Sequence, residues 1–375
     1  MSLRVLTVIT ELRAAGAERI AEQIIAGLPR ERFEPRVVCL RSLGGAVGDG
    51  EVTESLRAAG VPVLTLRARH KLDPTAALHL THELRAFRPH LLHGHLFHGN
   101  LVARLLGGLV SPARRISTLH VVERRPLRLR RALERATARL DHLTVCVSQA
   151  VASHARSQLG VSSLRLRVIE NGVDLRRFAP PPDPAAARAA ARARFDLPQD
   201  ALVVGAVGRL DPQKGTLDLL DAWERLAPRW PRAVLALAGR GPLEPEVAAR
   251  ARRSGGRVRP LGFVTDVPAV LDALDLFVMP SRWEGFGLAL AEALARGLPA
   301  VVSAVDSLPE VLGPAGRLVP PARPDRLGAA LEALLRDPAA RAELARQAPL
   351  QAARFSLERM QERYRRLYEE LARQA

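Results

Sequence analysis

Short apolar runs typical of buried β-strands alternate with helical patterns along most of the chain, in two series. The first series opens with the run Leu3–Ile9 and a helical pattern at Ala17–Leu28. A proline-rich segment at residues 178–185 interrupts the alternation, because proline fits neither a helix interior nor a central strand. The second series opens with Leu202–Val207. Since such alternation is typical of βαβ units, the sequence predicts an α/β fold with two doubly wound, Rossmann-like domains facing across a cleft.

The remaining apolar runs set the expected sheet of each domain. We expect a first domain over residues 1–180 and a second over residues 181–355, followed by a helix at Ser356–Ala375 with Ser356 as its N-cap. The further predicted strands are Val37–Leu40, Val61–Leu66, Pro89–His93, Arg115–Leu119, Leu143–Val147, Ala233–Ala238, Arg257–Gly262, Leu276–Met279 and Ala300–Val302. In sheets of this kind ligands bind at the carboxyl ends of the strands.

Composition excludes several classes of protein. With 47% apolar and 25% charged residues, the chain is neither disordered nor fibrous. No apolar run is long enough for a transmembrane helix, and the first residues lack the pattern of a secretory signal. The two cysteines, Cys39 and Cys146, lie in apolar runs and are expected to pack in the core of a cytoplasmic protein.

The net charge of +17 carries less information than usual. All but two of the 56 basic side chains are arginine, a skew typical of genome-wide composition bias. Aromatic residues make up only 4% of the chain, and they do not interleave with the basic residues as a base-stacking surface would require. We therefore expect no nucleic-acid partner.

The most informative segment follows the predicted strand Leu276–Met279. Gly285 and Gly287 would let the backbone approach a ligand, and the N–H groups of the following helix would face an anion. Glu284 precedes this helix and Glu292 lies inside it. Carboxylates that accept from sugar hydroxyls beside N–H groups that donate to phosphates suit a sugar nucleotide. The alternative is a plain glycine turn with two unrelated glutamates.

Two further loops follow predicted strands. After Leu202–Val207, the segment that begins at Gly208 carries Arg209 and Lys214, which can converge on a diphosphate. The alternative is a solvated turn. After Leu3–Ile9, Gly16 would let the backbone approach a ligand, but its surroundings lack the Gly-x-Gly-x-x-Gly fingerprint, which argues against a dehydrogenase.

All ten histidines lie between His70 and His154. Several of them cluster with Asn100: His90, His93, His95, His98 and His120. His93 and His95 would share one face of a strand, and His120 ends a strand where its ring can face the cleft. No neighbouring Cys, Asp or Glu completes a ligand set, so we expect no metal and keep structural histidines as the alternative.

The segment Arg124–Arg139 reads as a basic amphipathic helix. Leu129, Leu133, Ala136 and Leu140 form one stripe, and arginines occupy the other faces. Such a helix either packs its stripe against the sheet of its own domain or lies on an anionic membrane surface. Because arginine is abundant everywhere in the chain, we favour the first interpretation.

Together these motifs resemble the retaining glycosyltransferases of the GT-B fold, family 4, also called glycosyl transferases group 1. The most specific part is the Glu-x7-Glu signature of Glu284 and Glu292. The others are residues 14–19, His93–His95, Thr118–His120, Val168–Asp174, Gly208–Gly215 and Leu261–Asp266. The chain departs from the family at Ala15, where a first glycine is common, and at Glu170, where proline is common.

The resemblance implies a hexosyltransferase that uses a nucleotide sugar, expected to be a UDP-sugar, and a glycan, lipid or small-molecule acceptor. It assigns the donor diphosphate to Arg209 and Lys214, the donor sugar to Glu284 and the ribose to Glu292. Backbone groups of Gly285, Phe286, Gly287 and Leu288 would approach the donor sugar and phosphates. Gly208 belongs to the diphosphate loop, and Gly262, Phe263 and Val264 flank the base. Gly16 would close on the diphosphate, His120 would lie beside the reacting sugar carbon, and His95, His98 and Asn100 are acceptor-side candidates. The terminal helix is expected to cross back to the first domain.

No Asp-x-Asp metal motif and no obvious nucleophilic carboxylate occur. We therefore expect no cofactor or metal, and front-face attack with retention of configuration. Two alternatives remain open. One is a sugar-nucleotide epimerase or phosphorylase of the same architecture, although a phosphorylase needs pyridoxal phosphate on a lysine and Lys214 is the only lysine in the second half. The other is a non-catalytic basic protein that docks on anionic membranes. Such a protein would bind anionic liposomes without releasing UDP. For an enzyme with a lipid acceptor, the expected location is the inner face of the membrane.

Overall fold

The computed structural model describes residues 2–13, 15–41, 50–66, 73–122, 124 and 128–374. The chain divides into two compact units: unit 1 comprises Met1–Gly172 with Leu357–Ala375, and unit 2 comprises Val173–Ser356. Residues 173–180, which the sequence interpretation gave to the first domain, belong to unit 2. The reason is local pairing, since the Val173 N–H donates to the Phe355 carbonyl at 2.8 Å.

Unit 1 contains a seven-stranded sheet in the order β3-β2-β1-β4-β5-β6-β7, with all pairs parallel. Its strands are β1 (Leu3–Ile9), β2 (Phe33–Cys39), β3 (Val63–Thr65), β4 (Leu91–His95), β5 (Arg114–Leu119), β6 (Leu143–Cys146) and β7 (Leu166–Val168). Its helices are α1 (Gly16–Ala26), α2 (Glu51–Ala58), α3 (Pro74–Phe87), α4 (Leu96–Val110), α5 (Arg128–Ala138), α6 (Gln149–Leu159) and the terminal helix (Leu357–Arg373). A short 3-10 helix spans Ser163–Arg165.

Both faces of this sheet are buried, which explains why its strands are apolar runs rather than alternating patterns. On one face Leu6 and Val8 of β1 pack in a cluster with residues of α3 and α4. On the other face Ile9 packs in a cluster with residues of α1 and α2. The terminal helix adds the buried Tyr364 and Tyr368.

Unit 2 contains a six-stranded parallel sheet in the order β10-β9-β8-β11-β12-β13. Its strands are β8 (Leu202–Val207), β9 (Ala233–Ala238), β10 (Val258–Gly262), β11 (Leu276–Met279), β12 (Ala300–Ser303) and β13 (Gly316–Val319). Its helices are α7 (Pro184–Arg194), α8 (Thr216–Leu226), α9 (Glu244–Arg253), α10 (Val267–Asp272), α11 (Leu288–Ala295), α12 (Leu308–Leu312), α13 (Pro324–Arg336) and α14 (Pro338–Ala352). Short 3-10 helices span Pro212–Lys214, Ala227–Arg229 and Ala353–Phe355.

The strand order of unit 2 reverses between β8 and β11, because the chain runs outward from β8 to β10 and then returns to continue on the other side. Such a reversal opens a crevice at the carboxyl ends of the two strands, where ligands of doubly wound sheets bind. The predicted α/β fold with two doubly wound sheets is thus confirmed, and the loops after β8 and β11 are the natural place for a site in unit 2.

Helix α5 differs from the favoured interpretation of the segment Arg124–Arg139, of which residues 125–127 lie outside the described part. The predicted stripe does not face the sheet, since Leu129, Leu133 and Leu140 are exposed. The buried side is formed by Glu134, Thr137 and Ala138. The physical reason is a polar contact, because the buried Arg104 of α4 donates to the Thr137 hydroxyl at 3.4 Å and so selects that side of α5. Packing of the stripe against the domain's own sheet is therefore wrong.

Within the described residues, no helix combines the length and the apolar composition needed to cross a bilayer.

Candidate active site

The crevice between β8 and β11 is built from two loops of unit 2. The loop after β8 contributes Gly208, Arg209 and Lys214, and the loop after β11 contributes Pro280 and Ser281. The loops are tied together by the backbone, since the Arg282 N–H donates to the Gln213 carbonyl at 2.7 Å. The sequence-predicted cations and the signature loop therefore share one crevice.

An ion pair between Lys214 and Glu284 joins the two loops. The Lys214 Nζ lies 2.5 Å from Glu284 Oε1, and the Ser281 hydroxyl donates to the same oxygen at 2.8 Å. Glu284 is only 5% exposed, whereas the Lys214 side chain is 29% exposed. The second carboxylate oxygen of Glu284 and the remaining N–H groups of Lys214 are thus available to a ligand as acceptor and donors.

Asp211 contacts both Arg209 and the main chain of Lys214, and the sequence analysis did not single it out. Its Oδ1 accepts the Lys214 backbone N–H at 3.0 Å, and its Oδ2 pairs with Arg209. Asp211 is buried, while the Arg209 side chain is 63% exposed. Only the fold shows that this carboxylate reaches Arg209.

Close approach of the two loops depends on glycine at position 215. Gly215 has a φ of +66°, and a Cβ built there would lie 2.1 Å from the Pro280 carbonyl oxygen. Any side chain at position 215 would therefore push the loop after β11 away from the loop after β8.

Asp306 is a second residue that sequence reasoning missed. Its Oδ2 accepts the backbone N–H of Glu284 at 2.9 Å, and its φ of +44° lies in the left-handed region. The acceptor fixes the main chain at Glu284, while Lys214 and Ser281 fix its side chain. No spacing in the sequence relates position 306 to position 284, so the fold alone reveals the contact.

The start of α11 lies directly after this loop. Gly287 adopts a φ of +91°, and a Cβ there would lie 2.6 Å from Leu308 Cδ2. Leu288 is the first residue of α11, so its N–H belongs to the positive end of the helix. The Phe286 ring packs edgewise on Phe355, at 5.3 Å between centroids, and its side chain is core rather than site. Glu292 is half-buried on α11.

The loop after β10 carries the residues that the resemblance assigns to the base. Gly239 links this loop to the crevice, because its N–H donates to the Gly262 carbonyl at 2.7 Å and a Cβ on it would lie 1.9 Å from the Gly208 carbonyl oxygen. Space in front of Gly262 is open, since no atom lies within 4 Å of a Cβ built there. Phe263 is exposed and Val264 is half-buried. The carboxyl ends of β8, β9 and β10 are thus aligned side by side.

In unit 1, the predicted histidine cluster is a buried hydrogen-bonded array. His95 Nδ1 lies 2.9 Å from His120 Nε2, while His93 contacts the Tyr368 hydroxyl at 2.6 Å and the Thr118 hydroxyl at 2.7 Å. Burial lowers the pKa of His120 to about 4 and that of His93 to about 3, so both rings are neutral at pH 7. Both ring nitrogens of His93 have hydroxyl partners, which is typical of a structural histidine.

The remaining candidates of unit 1 lie around the same strand ends. Asn100 is buried and donates to the Thr118 carbonyl at 3.2 Å, and it lines a cavity together with His120. His98 is half-buried, and its ring stands edgewise to Phe97. Within the described residues, no group of three His, Cys, Asp or Glu side chains could hold a metal ion.

The loop after β1 leads into α1, and Ala14 of the predicted motif lies outside the described residues. Gly16 begins α1, and no atom lies within 4 Å of a Cβ built on it. Glu18, which the sequence analysis did not single out, is buried in the first turn, and this burial raises its pKa to about 7. The loop therefore presents open backbone beside a carboxyl group that titrates near neutrality.

The crevice of unit 2 combines cationic donors with a carboxylate acceptor. Arg209, Lys214 and the start of α11 supply donors and positive potential for an anion, while Glu284 supplies an acceptor for hydroxyl groups. A ligand that carries both phosphate and sugar satisfies both sets.

Comparison with known proteins agrees with this chemistry. Residues 14–177 match the model of Glycosyltransferase Family 4, and residues 201–337 match that of Glycosyl transferases group 1. The chain is 28% identical over 303 residues to the Escherichia coli UDP-Gal:alpha-D-GlcNAc-diphosphoundecaprenol alpha-1,3-galactosyltransferase, covering 78% of this chain and 77% of that one. It is 36% identical over 243 residues to the Salinispora tropica D-inositol 3-phosphate glycosyltransferase, covering 60% of this chain and 50% of that one.

Solved structures share the fold across nearly the whole chain. Anabaena HepE, solved in complex with UDP-glucose, superposes with a TM-score of 0.83 at 22% identity, covering 98% of this chain and all of that one. WaaG, a glycosyltransferase involved in lipopolysaccharide biosynthesis, superposes with a TM-score of 0.78 at 15% identity, covering 97% and 99% of the two chains. The family matches, the relatives and the shared fold together show that this chain is a glycosyltransferase of the GT-B fold and belongs to family 4.

Proposed function

We propose that the enzyme is a metal-independent, retaining hexosyltransferase that moves a hexose from a UDP-sugar to a hydroxyl group of a glycan or lipid. The observation that carries the proposal is the crevice of unit 2, where Lys214 and Glu284 form an ion pair beside Arg209. The UDP-linked donor is supported by the E. coli relative, whose name specifies UDP-Gal and a diphosphoundecaprenol-linked acceptor.

The donor diphosphate would be held by groups that the ion pairs leave available. Lys214 has three N–H donors and Arg209 has five, and each ion pair occupies only part of them. Together with the start of α11 these donors place positive potential where the departing diphosphate develops negative charge, which is the interaction that accelerates such a transfer most. Glu284 would accept hydrogen bonds from hydroxyls of the donor sugar.

The reaction breaks the bond between the anomeric carbon and the diphosphate oxygen, and the bonding electrons leave with the diphosphate. The acceptor hydroxyl attacks from the same face, and its proton passes to the departing phosphate oxygen, so configuration is retained. His120 is proposed to lie beside the anomeric carbon. Because its pKa is lowered to about 4, its ring would add no positive charge next to the developing oxocarbenium ion.

The setting of the reaction is part of the proposal. Both cysteines, Cys39 and Cys146, are free and buried, which fits a cytoplasmic enzyme. If the acceptor is a lipid, the enzyme has to work at the inner surface of a membrane, and the basic segment from Arg124 to Arg139 is the proposed contact.

The test begins with the donor. Thermal unfolding is measured with UDP-, GDP- and ADP-sugars, because a true donor binds only the folded state and at about 100 times its Kd stabilises it by about 2.7 kcal/mol. We expect a UDP-hexose to stabilise the enzyme, and Lys214→Met to abolish that stabilisation while Arg253→Gln, an exposed arginine of α9, preserves it. Stabilisation by none of the sugars would refute the donor assignment.

Turnover separates the remaining parts of the proposal. UDP release with an acceptor has to continue in EDTA, and the new glycosidic bond, examined by NMR, has to keep the anomeric configuration of the donor. Inversion would eliminate front-face attack, and loss of activity in EDTA would eliminate metal independence. Release of no UDP with any acceptor, combined with binding to anionic vesicles, would favour the non-catalytic docking protein instead.

A further inference from the structure

The outward side of α5 carries an apolar surface that no part of the proposed reaction uses. Leu129 is 71% exposed, and Leu133 and Leu140 are also exposed. Exposed leucines are ordinary one at a time, but several on one side of a single helix mark an interaction surface.

Arginines run beside these leucines on the same outward side. At about 100° per residue, Leu129 and Leu133 form one stripe, Leu140 lies in the turn just after the helix, and a second stripe lies roughly 120° away from the first around the helix. The second stripe contains Arg128, Arg131 and Arg135, Arg139 follows in the turn after the helix, and all four are exposed. The buried side of α5 lies opposite the space between the two stripes, so leucines and arginines point outward together.

No carboxylate interrupts this surface between residues 128 and 141. The acidic residues of that segment are Glu134 and Asp141, and both are buried. Asp141 is held inside by Arg104, whose Nε donates to Asp141 Oδ2 at 2.8 Å. The outward charge of the segment is therefore purely positive.

Contacts extend the surface beyond α5. Arg115 donates to the Leu140 carbonyl at 2.9 Å and lies beside Gly108, the residue before Leu109, which is 81% exposed. Arg165 donates to the Arg139 carbonyl at 3.0 Å, and its neighbour Leu164 is 85% exposed. We name this surface the leucine–arginine face: Leu109, Leu129, Leu133, Leu140, Leu164, Arg128, Arg131, Arg135, Arg139 and Arg165.

We propose that the leucine–arginine face docks unit 1 on the surface of an anionic lipid bilayer. The leucines enter the boundary between headgroups and acyl chains, while the arginines extend to the lipid phosphates. Charge complementarity selects this partner, because a second copy of the chain would place arginine against arginine. Nucleic acid would attract the arginines but would leave the exposed leucines without an apolar partner.

The inference rests on the proposed function only for the lipid acceptor, since docking itself needs no turnover. It gives that acceptor a physical route, because an enzyme held at the bilayer meets a lipid-linked hydroxyl without extracting it from the membrane.

The experiment is co-sedimentation of the full chain with vesicles of phosphatidylcholine alone or mixed with phosphatidylglycerol. We expect binding to the anionic vesicles only. Each Arg→Gln change at Arg128, Arg131 or Arg135 should weaken partitioning about fivefold at low salt. Leu129→Ser should weaken it about tenfold and should act at high salt as well, because burial of leucine is not screened.

Matched controls in unit 2 are Leu350→Ser on α14 and Arg252→Gln on α9, both of exposed residues. Equal binding to neutral vesicles, or equal losses in these controls, would overturn the docking face. UDP release with a short soluble acceptor should be unchanged in all α5 variants, so failure of docking and failure of the proposed reaction give different results. Far-UV circular dichroism checks that each variant is folded.

Discussion

Lys214→Met removes the cation of the ion pair in the crevice while it keeps the apolar length of the side chain. In the variant, the buried Glu284 carboxylate retains the Ser281 hydroxyl but no positive partner. Removing one partner of a buried pair costs about 3–5 kcal/mol, and because Lys214 is 29% exposed we expect about 2–3 kcal/mol here. For a domain of this size that loss lowers Tm by about 5–10 °C.

The double variant Lys214→Met/Glu284→Gln separates stability from catalysis. Without a charge on either side chain, the buried position no longer needs a cation, so stability should return to within about 1 kcal/mol of the parent. Turnover should not return, because the departing diphosphate still lacks a donor of the kind whose removal typically costs about 10²- to 10³-fold in kcat. Thermal unfolding followed by tryptophan fluorescence reports on unit 2, which contains all three tryptophans.

Two results would refute this reasoning. If Lys214→Met is as stable as the parent and shows no coupling to Glu284→Gln, the two side chains do not form the pair. If the double variant recovers UDP release, Lys214 acts only by neutralising Glu284 and does not hold the diphosphate.

Three further predictions concern other features. Burial lowers the pKa of His120 to about 4 from an unfolded value near 6.5, so unit 1 should lose stability as pH falls through that interval. Unit 2 has no histidine and should change less. Thermal unfolding followed both by circular dichroism and by tryptophan fluorescence distinguishes the two units. Gly215→Ala should destabilise unit 2 by about 3 kcal/mol or more, and Gly255→Ala by about 1 kcal/mol, because both glycines have positive φ but only the Cβ at position 215 would clash. Equal unfolding midpoints of the two variants would contradict this prediction. Asp306→Gly should relieve backbone strain and keep or raise Tm, but it should lower kcat about tenfold. Asp306→Asn keeps an acceptor for the Glu284 N–H and should keep most of the activity. A lower Tm of Asp306→Gly with unchanged kcat would oppose the positioning role.

The strands whose bounds were predicted best are those whose sequence is apolar without interruption. Leu202–Val207, Ala233–Ala238 and Leu276–Met279 agree with the structure to the residue, because both faces of a doubly wound sheet are covered. The sequence analysis missed β7 (Leu166–Val168) and β13 (Gly316–Val319). Both are short edge strands, of three and four residues, and each contains an arginine, so their apolar residues are too few to stand out from the flanking loops.

The site shows a similar division. Arg209, Lys214 and Glu284 could be predicted to lie together because charged side chains and glycines follow predicted strands, and the carboxyl ends of parallel strands meet at one edge. Asp211 and Asp306 were missed because their roles depend on which atoms they reach, and spacing carries no such information. The orientation predicted for α5 was wrong for the same reason: periodicity identifies an apolar stripe, but the buried side of the helix is the one whose Thr137 contacts the buried Arg104.

Pairing each cation with a carboxylate at first sight weakens a site for an anion, yet it suits a transferase that must also release its product. Asp211 and Glu284 restrict Arg209 and Lys214 before the donor arrives, so less side-chain entropy is lost on binding. The same carboxylates reduce the net positive charge, so the diphosphate is attracted by directed donors rather than by a large excess of charge. Ground-state binding then stays moderate, while the donors remain aligned with the oxygen on which charge grows during transfer. One aspartate and one glutamate, which the reaction itself does not consume, can in this way favour both bond cleavage and departure of the nucleotide.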